Sequence, residues 1–267
     1  MKNFFLIGFI STIIIFLSCG KFEFSPNEVR IKPEYRDLNA KAIYKILNGG
    51  NKQSYKIGFI GDTQRFYADV SEFTEVINQI QDIDFVIVSG DLSDFGLLRE
   101  YEWMHERLSR MSFPYLAVIG NHDILANGDE VFREMYGPLD FSFIHDSVKY
   151  IFVNTNGLEY GFNGNVPDMN WLDAELQTGD EVRDILVICH VAPYDRDFDP
   201  ALSNQFANAM ARSEKLLLVM HGHNHNFQIN TPFNDGVTYL NSSSPKKDCF
   251  VVLSLDREGF SFQKIDL

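Results

Sequence analysis

Short runs of apolar residues alternate along the chain with segments in which apolar residues recur every three or four positions. The runs cover residues 55–62, 84–91, 114–123, 149–156, 184–190 and 215–223, and three β-rich pieces follow near Tyr239, Phe250 and Phe262. Helical spacing occurs at residues 34–47, 70–81, 97–111, 168–177 and 202–212. This alternation predicts an α/β fold whose strands are buried on both faces.

Every apolar run except the one ending at Asn156 is followed by a polar cluster. In chain order the clusters are Asp62-Thr63-Gln64, Gly90-Asp91 with Asp94, Gly120-Asn121-His122-Asp123, His190, and Gly222-His223-Asn224-His225. Ligands of α/β sheets gather beyond the carboxyl ends of the strands, so the five clusters are expected on one rim. Each cluster alone could be a turn or a structural histidine. Their joint occurrence favours a metal site.

The order of these motifs resembles that of the calcineurin-like metallophosphoesterases. The family pattern is D-x-H, G-D-x-x-D, G-N-H-D/E, H and G-H-x-H, and this chain has DTQ, GDLSD, GNHD, CH and GHNH over about residues 55–230. The resemblance implies an α/β fold built as a four-layer αββα sandwich of two mixed β-sheets, with a two-metal centre. The departure from the pattern is Gln64, where the family has histidine.

The resemblance also implies which residues hold the metals. The first metal would be bound by Asp62, Gln64 and His225, the second by Asn121, His190 and His223, and Asp91 would bridge the two. Carboxylates and imidazoles suit first-row divalent ions, and a shared carboxylate holds such a pair ~3.5–4 Å apart.

By the same resemblance, a hydroxide between the metals would attack phosphorus. His122 would contact the phosphate and protonate the leaving oxygen, oriented by Asp94. Histidine suits this role because its unperturbed pKa is close to operating pH. The neutral amide of Gln64 preserves the charge of the centre but offers a harder oxygen donor. We therefore expect two divalent ions with manganese or magnesium favoured over iron or zinc.

The composition limits the partners. A net charge of −14 argues against nucleic acid as the main partner, because a nucleic-acid interface needs a basic patch. Two divalent ions with two carboxylates would supply a local charge of about +2 for a phosphate-ester substrate. Two functions follow: a hydrolase of phosphate mono- or diesters, or a non-catalytic lipoprotein that binds metal or phosphate on the same fold. The sequence leaves the oligomeric state open.

The N-terminus predicts export. Residues 1–18 have one lysine and an apolar stretch from Phe4 to Leu17, which is shorter than the ~20 residues of a membrane-spanning helix. The segment resembles a bacterial lipoprotein signal with lipidation at Cys19, and Gly20 after it favours the outer membrane. We expect an N-terminal extension with a short helix over residues 19–53 and the metallophosphoesterase domain over residues 54–267.

Several other side chains have weaker indications. Cys189 and Cys249 are expected to be small buried residues, although a single bridge is an alternative. Asp123 is expected to cap a turn, His221 to be structural and His105 to be solvated. The remaining candidates for the cleft are His145, the segment 155–168, Tyr194 and Asp195.

Overall fold

The computed structural model describes Ser25, residues 27–50, Lys52 and residues 54–267. The predicted signal and Cys19 lie outside these residues. The α-helices within them are α1 (Leu38–Leu47), α2 (Tyr67–Ile77), α3 (Leu98–Leu108), α4 (Gly128–Met135), α5 (Met169–Leu176) and α6 (Ser203–Arg212). No helix in this part of the chain has both the length and the apolar character needed to cross a membrane.

Two mixed sheets form the centre of the fold. The first sheet has the strand order β11-β10-β1-β2-β3 and the second β4-β5-β6-β7-β9-β8. Strands β1 to β3 are parallel in the first sheet, and β5, β6, β7 and β9 are parallel in the second. The strand bounds are β1 Tyr55–Ile60, β2 Ile83–Val88, β3 Tyr115–Ala117, β4 Phe141–His145, β5 Val148–Phe152, β6 Asp184–Ile188, β7 Leu216–His221, β8 Gln228–Asn230, β9 Tyr239–Asn241, β10 Cys249–Leu255 and β11 Phe260–Asp266.

Three apolar cores separate four layers. Alternate residues of a strand face opposite sides of its sheet, so Phe85 and Ile87 of β2 pack between the sheets while Val86 and Val88 pack against α2 to α4. A third core joins the outer face of the second sheet to α5 and α6. The predicted αββα sandwich of two mixed sheets is confirmed.

Helix α1 protects one edge of this sandwich. The Asn39 side chain donates to the carbonyl of Ala117 at 2.9 Å and accepts from its amide at 2.9 Å. An exposed edge strand would offer its backbone to other chains, and the asparagine amide satisfies both groups of β3 at this position. The N-terminal extension is therefore packed on the domain at this edge.

The pattern of apolar residues missed helix α4 and strands β4 and β8, the last of which has three residues that are mostly exposed. Helix α4 has eight residues with an apolar stripe of Val131, Phe132 and Met135, too short a repeat to stand out from the polar residues around it. Strand β4 lies at a sheet edge and is only partly buried, so its apolar residues do not form a continuous run.

Candidate metal centre

The five polar clusters meet where the carboxyl ends of the parallel strands of both sheets approach each other. Four residues of these clusters have a left-handed backbone: Asp62 (φ 51°), Asp91 (φ 57°), His223 (φ 73°) and His225 (φ 55°). This conformation turns the chain sharply in the loop that follows a strand. It is unfavourable for residues other than glycine and is retained where the surrounding structure requires it.

Glycine is required at one of these turns. Gly90 has φ +95°, and a Cβ atom built on it would lie 2.6 Å from Nδ1 of His190. Any side chain at Gly90 would thus displace the imidazole and strain the backbone at once. The G-D motif after β2 is therefore a packing requirement of the site as well as a turn.

Two buried oxygen atoms lie where the sequence predicts the first metal. Oδ2 of Asp62 and Oε1 of Gln64 have no hydrogen-bond partner among the described residues, and both side chains are almost wholly buried. The other oxygen of Asp62 accepts from the backbone amide of His223 at 3.0 Å, and Nε2 of His225 is 3.5 Å from it. Orphaned buried acceptors cost ~1–3 kcal/mol each, which a cation would offset.

Gln64 is also held by Asp91, the carboxylate that is expected to bridge the metals. Its Nε2 donates to Oδ2 of Asp91 at 3.1 Å. Because a carboxylate can only accept, this contact fixes the orientation of the amide and leaves Oε1 as the free atom. Asp91 in turn accepts the backbone amide of His122 through Oδ1 at 3.0 Å.

Three donor atoms converge at the second position. Oδ1 of Asn121 is 3.0 Å from Nε2 of His190 and 3.2 Å from Nδ1 of His223. His190 donates its Nδ1 proton to the carbonyl of Ser89 at 2.6 Å, so its Nε2 presents a lone pair when a metal ion replaces the second ring proton. Lone pairs facing one another repel unless a proton or a metal ion lies among them.

The pKa values of Asp62 and His190 also indicate that positive charge is favourable at this position. Burial, reinforced by the charge of Asp91, raises the pKa of Asp62 to about 7. Burial disfavours the charged form of His190, but the charge and hydrogen bond of Asp91 outweigh it and raise the pKa of His190 to about 10. Asp62, Asp91 and His190 also offer ligand atoms within 4.8 Å of one another. The donor set therefore fits divalent cations.

His122 lies at the mouth of this cluster with its side chain 33% exposed. Its Nδ1 donates to the backbone carbonyl of Asp94 at 2.9 Å, whereas the Asp94 carboxylate is 3.7 Å away. The sequence pointed to the carboxylate as the orienting group, and the structure shows the main-chain oxygen as the direct partner. The guanidinium of Arg65 lies 3.7 Å from the other carboxylate oxygen of Asp94.

Three carboxylates that sequence reasoning did not assign to the metals lie beside the second position. Asp195 and Asp197 face Nε2 of His223 at 3.6 and 3.1 Å. Glu159, from the loop after β5, interacts with Asn121 and His190, and its Oε2 is buried without a hydrogen-bond partner among the described residues. Burial raises the pKa of Glu159. The segment 155–168 therefore contributes a side chain to the cleft.

Two histidine expectations were wrong. His145 ends β4, whose antiparallel direction carries it away from the cleft, and it packs edge-on against Tyr55 at the opposite end of the sheets. His105 is partly buried, and its Nδ1 lies 2.7 Å from the hydroxyl of Tyr115. Its helical segment is charged, but the histidine itself is on the inner side.

The other minor expectations agree with the structure. The Asp123 carboxylate is a buried cap that accepts the backbone amides of Leu92, Ser93 and Gly120. His221 is buried and paired with the Tyr194 hydroxyl at 2.9 Å. Cys189 and Cys249 are buried and free.

The sequence profile described as calcineurin-like phosphoesterase matches residues 55–227, which contain all five strand-end clusters. The chain belongs to this family. Members of the family normally depend on divalent metals, in agreement with the donor set found here.

Individual relatives are distant. The chain is 25% identical over 127 residues, 47% of its length, to a 3′,5′-cyclic-nucleotide phosphodiesterase of Nostoc. It spans less than half the length of the curated relatives it matches, 24% of one and 46% of the other.

Solved structures share the fold. A dimetal phosphatase from Danio rerio has a TM-score of 0.59 at 13% identity, with 79% of this chain and 98% of that chain covered. Plasmodium GAP50, titled the anchor in the inner membrane complex, has a TM-score of 0.61 at 14% identity, with 80% and 85% covered. The fold thus occurs in proteins described in very different terms, and the function has to be argued from the site.

Proposed function

We propose that the protein hydrolyses phosphate esters with two divalent metal ions, manganese or magnesium in preference to iron or zinc. The proposed ligands are Asp62, Gln64, Asp91, Asn121, His190, His223 and His225. The observation that carries the proposal is that Oδ2 of Asp62 and Oε1 of Gln64 are buried without hydrogen-bond partners among the described residues, while ring nitrogens of His190 and His223 converge on Oδ1 of Asn121. When bound, the ions would polarise the phosphoryl group and lower the pKa of a water molecule.

His122 is the proposed general acid. Its Nδ1 donates to the Asp94 carbonyl at 2.9 Å, which leaves Nε2 as the nitrogen that would deliver a proton to the leaving oxygen, from the doubly protonated ring. Removal of such an acid typically costs 10²–10⁴ in rate. Asp94 would act through its main-chain oxygen and through the longer carboxylate contact.

The acidic side of the cleft favours phosphodiesters. A monoester is close to doubly negative at neutral pH, whereas a diester carries one charge. Glu159, Asp195 and Asp197 all lie beside the second metal position. One unit of like charge a few ångströms away is worth ~1 kcal/mol even with the screening of water, or about fivefold in rate. The name of the Nostoc relative, a cyclic-nucleotide phosphodiesterase, supports the same substrate class.

The hydrolase proposal is tested with chromogenic substrates. Metal-stripped protein is reloaded with Mn²⁺ and assayed on a nitrophenyl phosphomonoester, a bis-nitrophenyl phosphodiester and cyclic nucleotides. We expect diester hydrolysis that Asp91→Ala lowers about a thousandfold, because metal catalysis contributes several kcal/mol. Asp180→Ala, on the exposed loop before β6, is the matched control. Absence of turnover on every substrate would favour the non-catalytic binding protein.

The preference for diesters has its own test. Glu159→Gln removes one charge with little change of shape, and we expect it to raise kcat/KM on the monoester about fivefold relative to the diester. Glu181→Gln makes the same chemical change at the other end of β6 and should leave the ratio unchanged. An unchanged ratio in Glu159→Gln would refute the electrostatic explanation.

We also propose that the mature protein is anchored to the outer membrane by a lipid on Cys19, a residue outside the described part of the chain. The motif around Cys19 and the following Gly20 support this location. Labelled palmitate should be incorporated by the full chain in a bacterial host and lost in Cys19→Ser. Incorporation at wild-type level in that variant would refute the anchor.

A further inference from the structure

The loop between β6 and α6 brings two carboxylates to the outer side of His223. Oδ2 of Asp197 lies 3.1 Å from Nε2 of the imidazole, within hydrogen-bond distance, and Oδ1 of Asp195 lies 3.6 Å away, beyond it. The other ring nitrogen, Nδ1, faces Oδ1 of Asn121 at 3.2 Å. The imidazole thus stands between the second metal position and a carboxylate.

We propose that Asp197 is a positioning residue for this metal site. It accepts the Nε2 proton of His223, which keeps Nδ1 unprotonated and turned toward Asn121 and His190. The inference rests on the proposed metal centre and adds to it a residue outside the family motifs.

The position of Asp197 is fixed by its own loop. Its backbone amide donates to Oδ1 of Asp195 at 3.0 Å, and its carbonyl accepts the amide of Leu158 at 3.0 Å. The loop is anchored further by the hydrogen bond between Tyr194 and His221. Both carboxylates are largely buried, with side chains 15% and 17% exposed. Asp197 is therefore placed by the fold, unlike a surface side chain that meets a histidine by chance.

This arrangement has a defined chemical effect. A carboxylate that accepts the distal proton of a ligand histidine fixes its tautomer and orientation and makes the coordinating nitrogen more basic. Loss of such a partner typically lowers metal affinity 10- to 100-fold. Asp195 contributes the same charge at nearly the same place without the hydrogen bond, which makes it the natural control.

A third cation among Asp195, Asp197 and His223 is the competing explanation, since their ligand atoms lie within 4.8 Å of one another. We favour two ions because His223 has its Nδ1 in the second metal position, and a third ion would need the opposite nitrogen as well. The two explanations predict different stoichiometries.

The test is calorimetric titration of the metal-stripped full chain with Mn²⁺. We expect two ions per wild-type chain, and in Asp197→Asn a 10- to 100-fold weaker second site with the same stoichiometry. Asp197→Glu restores the anionic acceptor, which the neutral amide of Asp197→Asn replaces only weakly, and should recover most of the affinity. Asp195→Asn keeps the oxygen that caps the loop and removes the same charge, so it measures the electrostatic part of the effect and should lower the affinity less than Asp197→Asn does.

Three results would overturn the positioning role: equal losses in Asp195→Asn and Asp197→Asn, no loss in either, or three ions in the wild type falling to two in Asp197→Asn. Thermal unfolding in chelator shows whether each variant is folded. If Asp197→Asn is not folded, the titration of Asp197→Glu is compared with the wild type instead. Failure of the wild type to bind two ions would instead refute the proposed metal centre, so the two failures are distinguishable.

Discussion

Gln64 is the position where the charge of the metal centre can be changed with the least change of shape. Gln64→Glu replaces the Nε2 group, 3.1 Å from Oδ2 of Asp91, by a second carboxylate oxygen. In the metal-free protein two buried carboxylates this close cannot both be ionised. The new glutamate should therefore take up a proton and donate it to Asp91.

The free energy needed to protonate the new glutamate determines how much Gln64→Glu destabilises the metal-free protein. Unfolded glutamate has a pKa of about 4.3, so holding Glu protonated in the fold at pH 7 destabilises the protein by ~3–4 kcal/mol. A carboxyl whose pKa is raised in the folded state lowers stability only at pH values above its pKa in the unfolded chain. The loss of stability caused by the new glutamate therefore falls to ~1 kcal/mol at pH 5. With Mn²⁺ bound, Gln64→Glu should stabilise the protein instead of destabilising it, because an anionic oxygen binds a divalent cation more strongly than an amide oxygen does.

Urea unfolding followed by circular dichroism measures both effects. Wild type and Gln64→Glu are compared in chelator at pH 7 and pH 5 and again with excess Mn²⁺, with Gln177→Glu at the exposed end of α5 as the control. We expect a lower unfolding midpoint for Gln64→Glu in chelator and a greater increase on adding metal than in the wild type. Equal destabilisation with and without metal would refute the role of Gln64 as a ligand, and equal destabilisation at both pH values would refute the protonation of the new glutamate.

Three further predictions concern a histidine introduced at position 64 and the replacement of His122 and His105. Gln64→His should keep the fold and shift the metal preference toward zinc or iron; identical activity profiles of both stripped proteins titrated with each ion would contradict it. His122→Asn should lower kcat on the diester by 10²–10⁴, with Mn²⁺ affinity by calorimetry unchanged, and a wild-type kcat would rule out its acid role. Burial lowers the pKa of His105 to about 4, so stability present above pH 6.5 is lost as the pH falls toward 4, by an amount on the order of 2 kcal/mol. Urea unfolding of His105→Gln should show a smaller loss across this window, and an equal loss would mean that other groups are responsible.

The sequence could predict those parts of the site that are local in the chain. Asp62, Asp91 and His190 each follow a buried strand directly, and parallel strands bring their carboxyl ends to one edge, so order alone indicated a common cluster. The fold and the family were confirmed. The individual metal roles stay predictions until ions are bound.

Residues that reach the cleft through loops could not be found in this way. Glu159 and Asp197 depend on the contact between their two loops, in which the Leu158 amide donates to the Asp197 carbonyl at 3.0 Å. The partner of His122 at Asp94 is a main-chain oxygen, which the sequence does not distinguish from the carboxylate. His145 shows the opposite error, since its type suggested chemistry while the direction of β4 placed it at the far end.

Four proposed metal ligands have a left-handed backbone, namely Asp62, Asp91, His223 and His225. The strain at these positions lowers thermal stability, so selection for heat resistance and selection for metal binding favour different residues there. Glycine at any one of these positions would relieve up to about 1 kcal/mol of strain while removing a proposed metal ligand. Over four positions the sum approaches the lower end of the total stability of a protein. Libraries selected for heat resistance in the absence of metal should therefore accumulate glycine at these strand ends, and a chain that has drifted in this way would keep the fold without the centre.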